Sequence, residues 1–276
     1  NGNVILSGYT SSATSTYYGI YSNAINVSAS NGSVSFQAAK LDTATSLVTA
    51  AGNAVASLPA PYYAIADSAN MASANTNGVY WTGNVTANTS SGYISINAKT
   101  PSITGVMTSY GLALLGNNQN YTLSTSTNAI SALVANIGTG TLNFTDSSAL
   151  AVGSYNGTDG IAAGTITLSA AGLSGTKNIT ATIASTLGIT NASGSYTYSG
   201  VIAGPIALTK SGAGTETLSG NNTYSGVTTI SAGTLVISSD ANLGIPPASA
   251  IAGSLVLSGG SLEVTATTTL DSRRGI

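Results

Sequence analysis

The sequence predicts an all-β chain whose C-terminal half is a parallel β-solenoid, and three observations predict it. Glycines at 175, 194, 214, 233 and 253 each open a short strand-like unit (GTKNI, GSYTY, GTETL, GTLVI and GSLVL), at successive spacings of 19, 20, 19 and 20 residues. GTLNF at Gly140 and GTITL at Gly164 have the same shape across a gap of 24 residues. Inside these units the residues two and four after the glycine form apolar pairs: Leu142 with Phe144, Ile166 with Leu168, Leu235 with Ile237, Leu255 with Leu257. That period of two places both members on one face of a strand. Finally, a unit of about 20 residues cannot bury its own apolar face, whereas stacked copies pairing in parallel can. The five glycines then mark corners, where a positive φ or a close backbone approach is needed. An antiparallel sandwich also gives strands at short spacing, but its turns need not keep such a period.

Taken in order, residues 1–36 carry the strand-like runs NVILSGY and NGSVSFQ. Residues 37–75 are alanine-rich and read as an insertion, either one short helix over QAAKLDTATSLVTAAGNAVA, ended by SLPAP, or an irregular loop. Residues 79–125 return to strand-like runs, VYWTGNVTA, GYISINA and NYTLSTS, without regular glycine spacing. The expected division is an irregular β-rich region over 1–125 and a repeat solenoid over 126–276.

Composition narrows the function. Only 5% of the 276 residues are charged, against about 25% in an ordinary soluble domain. Serine, threonine, asparagine and glycine take the place of ionic groups, a habit of exported β-rich proteins. There is no cysteine and no histidine, which excludes disulfides, thiolate chemistry, imidazole bases and His or Cys metal sites. The formal net charge is −2 and the sole basic cluster is Arg273 with Arg274, so nucleic acid is not an expected partner. The run 47–66 has the length of a membrane span but contains Asn53, Ser57, Pro59 and Pro61, so no transmembrane segment is expected. A start at Asn1, without methionine or signal peptide, reads as a processed piece of an exported protein.

The stretch LTKSGAGTETLSGNNTYSGVTTISAGTLVIS, residues 208–238, resembles the autotransporter-associated β-strand repeat of bacterial passenger-type surface proteins. The LTKSGAGT opening, the LSGNNTYSG centre and the TTISAGTLVIS close carry the likeness, and DANLG with GSLVLSGGSLEV extends it. The resemblance implies export and a right-handed parallel β-helix at the cell surface. Outside 200–276 it thins to composition and rhythm.

Reactive constellations are sparse. The acids Asp42, Asp67, Asp146, Asp159, Glu216, Asp240, Glu263 and Asp271 are scattered. Glu216 and Asp240, 24 residues apart, are about one turn apart and are the only candidate pair, with solvated corner residues the plainer expectation. NGTDG at 156–160 lacks the glycine spacing of a calcium nonapeptide and reads as a turn. The expectation is therefore no enzyme, no cofactor and no metal. Tyrosine, with 14 copies, clusters at Tyr17, Tyr18 and Tyr21, at Tyr62 and Tyr63, and at Tyr80 beside Trp81, the candidate contacts for a glycan or another surface. Directly after the glycines, Thr141, Thr165, Thr176, Ser195, Thr215, Thr234 and Ser254 read as one hydroxyl column that keeps the surface soluble without charge. Both ends of the chain read as open strand edges, NVILSGY at one and SLEVTATTTL at the other. The function expected from all this is an extracellular structural rod or filament subunit associating end to end; the alternative is a glycan- or surface-binding adhesin, and a polysaccharide-active enzyme ranks last.

Overall fold

The computed structural model describes residues 106–276 throughout, and before them the backbone of ten strands together with the side chains of Tyr93–Ile96. The early strands are β1 (Val4–Thr10), β2 (Ile20–Ser22), β3 (Val34–Lys40), β4 (Val48–Ala50) and β5 (Ala54–Ala56). They continue with β6 (Tyr62–Asp67), β7 (Val79–Trp81), β8 (Val85–Ala87), β9 (Tyr93–Asn97) and β10 (Ser102–Ile103). Then β11 (Met107–Leu115), β12 (Tyr121–Leu123) and β13 (Ala129–Asn136) lead into the regular coil.

Each later turn contributes up to three short strands to parallel ladders, and the first carries two more. The first holds β14 (Thr141–Thr145), β15 (Ala149–Val152), β16 (Ser154–Tyr155), β17 (Thr158–Asp159) and β18 (Ile161–Ala163). The next two hold β19 (Thr165–Ala170), β20 (Gly172–Gly175) and β21 (Ile179–Ala181), then β22 (Ser185–Ile189), β23 (Ser195–Tyr198) and β24 (Ile202–Gly204). They are followed by β25 (Ile206–Lys210), β26 (Thr215–Leu218) and β27 (Thr223–Tyr224). The last are β28 (Thr228–Ile230) and β29 (Thr234–Ile237), a 3-10 turn at Asp240–Leu243, and β30 (Leu255–Leu257) with β31 (Ser261–Val264).

Parallel pairing joins equivalent strands into three ladders. One runs β12, β14, β19, β22, β25, β28, β30. A second runs β13, β15, β20, β23, β26, β29, β31. The third runs β18, β21, β24, β27. The long strand β13 serves two of them, pairing with β15 through Ala132 and Leu133 and with β18 through Ala135 and Asn136. The chain is a parallel β-solenoid, about six turns across residues 93–236. Ladders also link the early strands, β1 to β3 to β6 to β9 to β11 and β2 to β4 to β7 to β10.

The period-two pairs explain the core. Leu142, Phe144, Ile166, Leu168, Leu235 and Ile237 are all buried, and inward residues stack on their register mates: Phe144 on Leu168, Leu168 on Leu187, Leu187 on Leu208. Each such side chain contributes roughly 1.5–3 kcal/mol of burial, and outward Thr167, Thr186 and Thr209 on the same strands stay exposed.

Two expectations are corrected by the register. The helix or loop over 37–75 gives way, where the backbone is described, to strands: Gln37–Lys40 closes β3, and β4 and β5 pair in parallel with β7 and β8. Pairing with neighbouring turns overrides the helical preference of alanine, a weak prior against tertiary context. The single hydroxyl column is two columns. Thr141 pairs with Thr165 in one ladder, while Ser195, Thr215, Thr234 and then Ser261 align in another. Gly253 precedes β30, which belongs to the first ladder, so the glycine equivalent to Gly233 is Gly260. Glycine counting measures the length of a turn and is blind to which corner the glycine occupies.

Corners are tied by carboxamides. Asn128 accepts from Met107 N at 2.8 Å and donates to Leu123 O and Thr145 O at 2.9 and 3.0 Å. Asn222 accepts from Ile202 N at 2.8 Å and donates to Asn242 O at 2.6 Å. An amide carries donor and acceptor on one side chain, so it satisfies buried backbone of two adjacent turns without burying a charge.

Candidate functional site

The regular coil is interrupted at one turn. β16 and β17 form the only antiparallel pair among the described residues, a hairpin inserted between β15 and β18. Its turn, Asn156 (φ 46°) then Gly157 (φ 82°), has the two positive φ values of a tight hairpin turn. This excursion lengthens the turn from Thr141 to its mate Thr165, which is the physical origin of the 24-residue gap in the sequence.

Beside the hairpin, Tyr93 lies along the coil axis on the outer face. A Cβ on Gly111, its register mate, would sit 2.5 Å from the Tyr93 ring, and one on Gly153 would sit 2.6 Å from its hydroxyl. Larger residues at either position would displace the ring. Tyr155 of the hairpin packs on it with centroids 5.1 Å apart, and Tyr110 meets it edge-on at 6.1 Å. Under them Ala113, Ala132 and Val134 are buried although they alternate with inward Leu112, Leu133 and Leu114. The strand is thus covered on both faces here, and burial raises the pKa of the Tyr93 hydroxyl, with Tyr110 adding to the shift. At the rim Lys177 Nζ meets Asp159 Oδ2 at 2.7 Å, both side chains substantially exposed. The hydrogen bonds from Lys177 and Ser154 hold the Asp159 carboxyl below its ordinary range.

A second polar site lies inside the coil, in the stretch that resembles the passenger repeat. Lys210 occupies an apolar column between Ile189 and Ile230 and has no exposed surface. Its ammonium curls into the following corner and donates to Ser211 O, Gly212 O and Ala232 O at 2.9, 2.8 and 3.3 Å. Glu216, equally buried, stands between Tyr196 and Leu235 in the second ladder. β20 and β23 pair only at Gly175 and Tyr198, and Glu216 Oε2 reaches back two turns to accept from Leu173 N at 3.3 Å. Its Oε1 is buried without a partner. Desolvation pushes the carboxyl up to about 8, against the opposing pull of the Leu173 N–H and the Lys210 charge, and desolvation lowers Lys210. Glu216 is therefore an interior group and not the solvated corner residue its polarity implied.

The described acids do not converge. Asp240 is held by Arg274, whose Nε sits 2.7 Å from Oδ1 and whose other nitrogens reach Leu243 O and Gly244 O. Arg274 itself is buried, a clamp over the 3-10 turn, while Arg273 stays exposed and pairs with Asp271. No group of three metal-capable side chains occurs among the described residues, and no described helix is long and apolar enough to cross a membrane.

Of the tyrosines singled out by clustering, Tyr17 and Tyr18 lie outside the described residues. Tyr21 is in β2, Tyr62 and Tyr63 open β6, and Tyr80 and Trp81 close β7. Register places Tyr21, Thr49 and Tyr80 in one column and sets Tyr62 beside Tyr93. The side-chain cluster at Tyr93, Tyr110 and Tyr155 was not readable from adjacency in sequence, because its members are one and several turns apart. Of the corner glycines, Gly175, Gly194, Gly233 and Gly253 have positive φ, and Gly214 faces Asn191 Nδ2, 2.7 Å from where its Cβ would lie.

A charge-poor parallel coil with amide-tied corners and a buried lysine bonded to the carbonyls of two successive turns defines the class by fold: a parallel β-solenoid. Residues 208–237, from the strand carrying Lys210 to the end of β29, match the passenger-associated-transport-repeat family. That family implies surface or extracellular exposure. No curated protein and no solved structure matches the chain.

Proposed function

We propose that this chain is a non-enzymatic, extracellular structural element, a β-solenoid rod segment that associates end to end through its terminal turns. The observation that carries this is the turn formed by β30 and β31. Leu257 and Val264 are 45% and 42% exposed, whereas their register mates Ile230 and Ile237 are fully buried. Residues 273–275 already bond to this face, Ile251 N to Arg273 O and Gly253 N to Gly275 O, in the manner of a further turn. A turn with exposed apolar side chains and one strand, β31, that pairs on one side only is completed by another turn of the same kind. Among the described acids Asp146, Asp159, Asp240 and Asp271 are bonded elsewhere, Glu216 is buried and Glu263 stands exposed on β31, which supports the absence of catalysis, and six Lys and Arg in 276 residues support the absence of a nucleic-acid partner.

Electron microscopy of the purified native chain tests the association. Filaments whose axial repeat matches one chain are the expected result. Isolated short rods at high concentration would overturn end-to-end association between copies and leave the covering turn to the same polypeptide.

A further inference from the structure

The face formed by Tyr93, Tyr110 and Tyr155, rimmed by Asp159 and Lys177, departs from the rest of the rod in several ways at once. Tyr121, Phe144, Tyr198 and Tyr224 are core residues and Tyr196 stands in the inward column of Glu216, so the described outer-face aromatics all gather at this one place. The same place holds the only antiparallel pair among the described residues and one of their three ion pairs. A rod needing only stacked turns has no use for the hairpin, which adds residues without adding to the ladders.

We propose that this face is a binding platform for a neutral oligosaccharide. It rests on surface display and is independent of end-to-end association. A pyranose ring presents a face of C–H bonds and a rim of hydroxyls. Aromatic rings carry negative charge density on their faces and so attract C–H faces, while fixed polar groups beside them take up the hydroxyls. Here the rings are pre-set, Tyr93 seated against Gly111 and Gly153 and Tyr155 fixed by the Asn156–Gly157 turn, so little ordering accompanies binding. The hairpin that carries Tyr155 also carries Ser154 and Asp159, which with Lys177 form a hydrogen-bonded polar group beside it.

The chemistry selects among partners. The large aliphatic side chains exposed on the described surface, such as Ile183, Val227 and Ile245, belong to other parts of the coil, so the apolar surface of this patch is aromatic. An apolar protein partner or a lipid surface calls for aliphatic groups, and a nucleic acid calls for several cations, whereas Lys177 is already paired. With Asp159 and Lys177 offsetting each other, a neutral saccharide fits better than a uronate or sulfated one.

The test uses the full chain on an array of immobilised neutral oligosaccharides ending in glucose, galactose or N-acetylhexosamine. The parent is expected to be retained on at least one class, and Tyr110→Ala to weaken that binding about tenfold or more. Tyr110 is 39% exposed and meets Tyr93 only by its edge, so an unchanged thermal midpoint is expected, and Tyr110→Trp restores binding by restoring the stacking face. Should Tyr110→Ala disturb the fold, Asp159→Ala gives the same reading from outside the packed rings. No retention of the parent on any neutral glycan, or retention unchanged in both variants, overturns the platform. Rod association in the microscope is unaffected by these substitutions, so either proposal can fail alone.

Discussion

Gly233→Ala is expected to destabilise the coil by roughly 3–5 kcal/mol, among the largest effects of any single methyl group in this chain. Gly233 has φ +66°, where an L side chain is strained by roughly 1–2 kcal/mol. The added Cβ would also lie 2.3 Å from Gly214 O, 2.4 Å from Gly212 O and 2.8 Å from Lys210 Nζ. Two of those atoms are backbone oxygens of the turn below and cannot move without breaking the ladder, and the third is the ammonium that satisfies the same corner. Gly157→Ala is the matched control: its φ is +82° but nothing lies within 4 Å of the new atom. A urea titration followed by circular dichroism should show a large fall in midpoint for Gly233→Ala and a small one for Gly157→Ala. Equal shifts would mean that backbone conformation alone, and not the close approach of neighbouring turns, makes this corner glycine necessary.

Raising the pH from 5 to 8 is expected to destabilise the native protein, and Glu216→Gln is expected to remove most of that loss. The folded carboxyl titrates at about 8, well above its ordinary value of 4.5. The folded state keeps the proton that the unfolded chain has already released across this interval. The stabilisation is complete below pH 4.5 and is lost as the pH rises through 8, a total on the order of a few kcal/mol. Asp146, also raised by burial, adds a loss of the same sign at lower pH. Lys210, lowered by burial, acts in the opposite sense, with stability regained on the alkaline side as its folded form deprotonates first. Thermal midpoints of the parent and of Glu216→Gln from pH 5 to 8 decide the matter. A flat profile in the parent, or an equal slope in the variant, would show that the carboxyl is solvated.

The general architecture was legible because a parallel coil writes its period into the chain. Leu142 with Phe144 and Ile166 with Leu168 announce inward faces, and the register stacks them as their spacing implies. What stayed hidden depends on which corner each turn reaches. Gly233 and Gly253 look equivalent by distance in sequence, yet the connection between β28 and β30 is longer than its neighbours, so Gly253 belongs to another ladder. Early strands hid for a related reason: β4 and β5 are three-residue, alanine-containing segments whose strand character comes from their pairing partners.

The candidate sites hid more deeply. Glu216 sits two residues after Gly214, where the neighbouring units place an inward residue, and that position was the available signal of burial; charge argued the other way. The partner that tolerates it, Leu173 N, lies 43 residues upstream, beyond the reach of local pattern. Tyr93, Tyr110 and Tyr155 come together only because turns stack. Their one trace in the chain was the long gap between Gly140 and Gly164, with Asn156–Gly157 inside it.

The register itself is open to a direct measurement, and the native chain has no cysteine to confuse it. Parallel neighbours lie about 4.8 Å apart, within the Cα range of roughly 4.4–6.8 Å that a disulfide spans. Thr234→Cys combined with Ser261→Cys joins register mates of β29 and β31 and should cross-link on mild oxidation of the folded protein. Thr234→Cys combined with Ser254→Cys, the pair that glycine spacing alone would align, should remain reduced. Cross-linking of the second pair in place of the first would contradict the parallel register on which the fold, its buried corner and its outer face all depend.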